Sequence, residues 1–162
     1  EVKLGIRVIK HGSKNREMAK ILKLKESTMP KSRAYPSSPM FKEYLVNPVY
    51  EFYVGGEEDK IEEIHSAFLD LKRPLYLGQS DDLVDVEVSE ILDIEEHETR
   101  EINSVIEGIH PDCIIEKLPY GFYENGKKYT VDYKVVSIPK NTAIFHEQIK
   151  AYKIDEKYVS LF

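Results

Sequence analysis

Asn125-Gly126 stands between two aromatic and β-branched runs, Tyr120-Gly121-Phe122-Tyr123 and Tyr129-Thr130-Val131-Asp132-Tyr133. A two-residue type I′ turn needs positive φ at both central positions. Asn and Gly tolerate that conformation, and its twist matches that of the strands it joins. The pair therefore predicts an antiparallel hairpin and commits the C-terminal half of the chain to a sheet. Residues 142–154 and 158–162 read as two further strands, split near Asp155-Glu156. Val2-Lys3-Leu4-Gly5-Ile6-Arg7-Val8-Ile9 and Val49-Tyr50-Glu51-Phe52-Tyr53-Val54 read as strands near the N-terminus.

A helical period follows the second of these. Ile61, Ile64, Phe68 and Leu71 recur at spacings of three and four, one apolar stripe on a helix over 57–72. Gly55-Gly56 ends the strand before it. Glu57, Glu58 and Asp59 fall where the positive end of the helix dipole favours acids. Pro74 blocks continuation beyond Lys72-Arg73. Ser80 reads as a local cap in a tight turn before a strand over 83–92, with alternating Val84, Val86 and Val88. Gly78 reads as a backbone position that needs a positive φ or a close approach. Residues 93–116 read as acidic and irregular. Residues 10–48 form a long polar stretch with Gly12, Pro30, Pro36, Pro39 and Pro48. Within it, Met18–Lys25 fits a short helix or, through Leu22-Lys23-Leu24-Lys25, a strand.

A length of 162 residues suits one domain, or one domain with a smaller appendage, and 41% hydrophobic residues supply a core. No apolar run approaches the roughly 20 residues of a membrane span, and no leader-like segment precedes the first strand. Cys113 is the only cysteine, which excludes an internal disulfide and a cysteine-based zinc site. A cytoplasmic location is the simplest reading. The net charge of −6 hides a division. Residues 1–45 carry eleven Lys/Arg against four Asp/Glu, a balance of +7, and the remainder carries −13. One part of the chain thus attracts polyanions and a larger part repels them.

The run Pro74-Leu75-Tyr76-Leu77-Gly78-Gln79-Ser80, placed between a helix and the strand-like Leu83–Val88, resembles the CRISPR-associated family numbered five. Members of that family cap the 5′ end of the guide RNA in Cascade-type complexes. The resemblance implies an α+β fold: a partial ferredoxin-like (RRM/RAMP) domain over 1–92 and a mostly β C-terminal region over 93–162. Residues 2–9 and 49–54 would be its second and third strands, 57–72 its second helix and 83–92 its fourth strand. Residues 10–48 stand in the place of the family's extended insertion. The family's first strand and helix have no counterpart here, so the sequence is expected to be a piece of a longer chain, with a strand missing between 83–92 and 49–54.

The candidate RNA contacts are Lys10, His11, Lys14, Arg16, Lys20, Lys23, Lys25, Lys31, Arg33 and Tyr35. Exposed cations in an accessible segment meet phosphates, and Tyr35, Phe41 and Tyr44 offer stacking faces for unpaired bases. Taken singly, each ring reads first as an anchor holding the segment to a core. The five histidines form no metal motif, so neither metal nor cofactor is expected. The consecutive acids from Asp93 to Glu101 read as a solvated face. The primary functional reading is a non-catalytic CRISPR RNA-binding subunit that packs against the backbone and large subunits of a Cascade complex. One alternative is a metal-independent endoribonuclease acting on precursor CRISPR RNA, with His11 beside Lys10 and Lys14 as base and cations. The other is a ferredoxin-like protein-interaction domain with no role in RNA binding.

Overall fold

A computed structural model describes residues 1–22, 37–79, 81–126 and 128–162. Among the described residues it contains ten strands and one helix. The chain divides into two compact units, 1–8 with 51–162, and 9–50.

In the first unit, β1 (Lys3–Lys10) pairs with β4 (Val49–Gly55). The helix α1 (Glu58–Leu69) follows. A three-stranded antiparallel sheet has the order β10–β9–β5, from Lys157–Val159, Ala143–Ile154 and Glu96–Ile102. A second has the order β6–β8–β7, from Ile106–Glu107, Lys128–Pro139 and Cys113–Asn125. Reciprocal backbone hydrogen bonds between Leu4 and Phe162, and one from Val105 to Ile6, tie β1 to the C-terminal residues and to the start of β6.

The core belongs to these two sheets. Ile102, Val136, Ala151 and Val159 are buried, and Phe145, Ile149 and Tyr158 pack around Ile102, Ile106, Ala143 and Ala151. Two serines are buried with them, and each has partners. Ser104 accepts from the Ser160 amide at 2.8 Å. Ser137 donates to the Gly108 carbonyl at 2.8 Å and accepts from the His110 amide at 2.9 Å. Satisfying these hydroxyls removes the cost of desolvating them.

The expected α+β, partial ferredoxin-like fold is not what the chain forms: it is mostly β with a single helix among the described residues. The segment over 83–92 explains much of the difference. It has the alternation of a strand but joins no ladder; its start is held by a Tyr76–Leu83 bridge and a hydrogen bond from the Val84 amide to Leu75. A strand pattern is stabilised by neighbours across a ladder, and alternation alone does not provide them. The helix, expected over 57–72 and found over Glu58–Leu69, buries no residue; Phe68 and Leu71 remain exposed. Ile61 and Ile64 are only half-buried, so the helix does not bury a full apolar face as the second layer of an α+β domain does. Residues 93–116, expected to be irregular, supply β5, β6 and the start of β7.

The predicted hairpin forms, with Asn125 inside its ladder rather than at a turn position. Asn125 pairs with Lys128, and Gly126 holds φ +65°. The two C-terminal strands form as expected, turning at Asp155, which holds φ +52°. The cap expected at Ser80 lies outside the described residues. No helix among the described residues is long and apolar enough to cross a membrane.

Candidate nucleic-acid interface

The second unit carries an antiparallel ribbon of β2 (Ser13–Leu22) and β3 (Ser37–Val46). The ambiguity at Met18 resolves as strand up to Leu22. Alternation then assigns the side chains. Lys14, Arg16, Met18 and Lys20 share one face of β2, opposite Leu45, Glu43, Phe41 and Pro39. Asn15, Glu17 and Ala19 share the other face with Tyr44, Lys42 and Met40.

The first face combines charge with exposed apolar surface. The Arg16 guanidinium lies 3.8 Å from the Phe41 ring centroid, a cation–π contact, and Phe41 is still 58% exposed. Lys14 reaches Glu43 at 3.1 Å, with both side chains well exposed. Such a pair contributes little and is readily exchanged for another anion. Met18 is 64% exposed and lies directly opposite Phe41. On the second face the Asn15 amide donates to the Tyr44 hydroxyl at 3.2 Å, so Tyr44 is held within the ribbon by a side-chain partner.

Of the sequence candidates, Lys14, Arg16 and Lys20 are brought onto one face. Lys10 ends β1, and His11 is exposed in the corner before β2. Lys23, Lys25, Lys31, Arg33 and Tyr35 lie outside the described residues. Met18 is the member of this face that sequence reasoning missed. The period-two pattern Lys14, Arg16, Met18, Lys20 is the signal that finds it, because it is a strand pattern and marks these four residues as neighbours.

A second charged cluster lies in the first unit. Glu51 accepts hydrogen bonds from Arg7 Nη1 at 3.0 Å, the Tyr53 hydroxyl at 2.6 Å and Lys157 Nζ at 3.3 Å. Partial burial works to raise the Glu51 pKa. The hydrogen bonds from Tyr53, Arg7 and Lys157 outweigh it, and the carboxyl titrates below its ordinary range. Burial, together with the adjacent Glu51 carboxylate, pushes the Tyr53 phenol well above its ordinary value. That is the wrong direction for a general base. With its one carboxylate taken up by three donors, the cluster is a structural clasp joining β1, β4 and β10.

No family model matches the chain, and no curated protein or solved structure matches it. Among the described residues no group of three or more His, Cys, Asp or Glu side chains is arranged to hold a metal ion.

Proposed function

We propose that this chain is a non-catalytic RNA-binding subunit of a CRISPR type I interference complex, working in the cytoplasm and holding the 5′ handle of the guide RNA. The observation that carries the reading is the ribbon face on which Lys14, Arg16 and Lys20 align with the exposed Phe41 ring. Cations at alternate positions follow a phosphate backbone, and a ring between them takes an unpaired base. A two-stranded ribbon that sets an exposed ring among its cations suits an unpaired strand, whose bases are free to stack. The resemblance of Pro74–Ser80 to the CRISPR-associated family numbered five supplies the guide-RNA context, and the backbone and large subunits of the complex as protein partners.

Labelled repeat RNA tests the proposal. The wild-type chain should retain it, intact, with or without chelator. Changing Lys14, Arg16 and Lys20 together to Ala should weaken binding and lower the salt slope by about 0.7 for each single-strand phosphate that is no longer neutralised. Phe41→Ala should weaken binding by roughly 1–3 kcal/mol with the slope nearly unchanged, because stacking releases no counterions. Equal slopes for the triple variant and wild type would remove the ribbon from the RNA surface. Specific cleavage abolished by His11→Ala would move the protein to the endoribonuclease reading.

A further inference from the structure

The β7–β8 hairpin presents a second face that the RNA reading does not use. Its register puts Ile115, Lys117, Phe122 and Glu124 of β7 on one side with Tyr129 and Tyr133 of β8. Phe122 is 69% exposed and Tyr129 is 75% exposed, with Tyr133 and Ile115 also open to solvent. A contiguous stripe of large apolar side chains left in water is the mark of an interaction surface. Aromatic rings are the residues most enriched at the centres of protein interfaces.

The two charged residues decide what fits it. Lys117 sits toward the base of the hairpin, 4.8 Å from the Tyr133 ring, and Glu124 sits next to the turn. Phe122 and Tyr133 thus lie between a cation toward the base and an anion beside the turn, where Tyr129 stands opposite Glu124. A polyanion gains nothing from such a face, because its two charges cancel. A second copy of the same face, turned end for end about a two-fold axis, places each Lys117 against the partner copy's Glu124 and the rings against one another. This is the self-complementary pattern of an isologous contact.

We propose that the β7–β8 face is a homodimerisation surface, on which two copies pack antiparallel with Lys117 of each against Glu124 of the other. The Tyr120 bulge supports the geometry. It breaks the ladder between Pro119 and Gly121, and Tyr120 stacks instead under Lys134 at 4.0 Å, so that its ring is kept off this face. The proposal is independent of RNA binding by the ribbon.

Sedimentation velocity of the full chain without RNA, over a range of micromolar concentrations, tests it. A monomer–dimer equilibrium is expected. Lys117→Glu and Glu124→Lys should each weaken the dimer at least about tenfold, since each sets like charges together at both ends of the contact. The double variant Lys117→Glu/Glu124→Lys should recover wild-type association, an outcome that misfolding of either single variant would not give. Phe122→Ser/Tyr129→Ser should give a monomer whose circular dichroism matches wild type. A wild-type chain that stays monomeric throughout, or a double variant no better than the singles, would overturn the proposal.

Discussion

Glu51 draws three donors from three strands onto one carboxyl group: Arg7 from β1, Tyr53 from β4 and Lys157 from β10. Its folded-state pKa lies below its ordinary value of 4.5, so the folded state favours the ionised form more than the unfolded state does. The stabilisation is complete above that ordinary value and disappears as pH falls through the folded value. Glu51→Gln should therefore be less stable than wild type at neutral pH, and the gap should close on acidification toward pH values below 4.5. Denaturant midpoints of the two proteins, measured from neutral pH down to about pH 3, check this. A constant gap would mean that the carboxyl's shape, rather than its charge, holds the clasp. No local pattern marks this residue, because Arg7 and Lys157 lie 44 and 106 positions away and only the fold assembles them.

At the scale of elements, the turn that brings Tyr76 to Leu83 rests on its glycine. Gly78 holds φ +108°, a conformation costly to any residue with a Cβ, and an added Cβ would lie 3.1 Å from the Asp82 carboxylate. Gly78→Val should lower stability by roughly 1–3 kcal/mol in equilibrium unfolding. An unaltered midpoint would show that the turn adapts. Local signals of this kind are legible in the sequence because they act within a few residues. They include the glycine at Gly126, the helical stripe from Ile61 to Phe68 and the break at Asp155. The fold class is not legible, since it depends on which strand finds a partner. Val84, Val86 and Val88 carry as good an alternation as β4 does, yet β4 joins a ladder and they do not. Residues 13–22 carry a period-two pattern that competes with Gly, Pro and Ser nearby, so the ribbon shows in the sequence only as a basic stretch. Its cations can be named from composition, but the pairing that sets Arg16 beside Phe41 joins residues 25 positions apart.

For the whole molecule, the separation of charge along the sequence survives in the fold. Among the described residues of the 9–50 unit, Lys10, Lys14, Arg16, Lys20 and Lys42 outnumber Glu17 and Glu43, while the other unit holds most of the acids. The two long hairpins also differ in the length of chain each must close, and this fixes an order of events during folding. The β7–β8 ladder begins with Asn125 opposite Lys128, across two residues. The β2–β3 ladder begins with Leu22 opposite Ser37, across fourteen. Loop-closure entropy rises as (3/2)RT ln n, so starting the second ladder costs about 1.7 kcal/mol more than starting the first. Pulse-labelled hydrogen exchange during refolding should find amides of Cys113–Pro139 protected before those of Ser13–Val46, and simultaneous protection would contradict this order. A denatured full-length chain would then acquire its basic ribbon after the β7–β8 hairpin. Refolding chains would pass through an interval with those cations unorganised, and under the proposed RNA-binding role, RNA added in that interval would template the ribbon as well as occupy it.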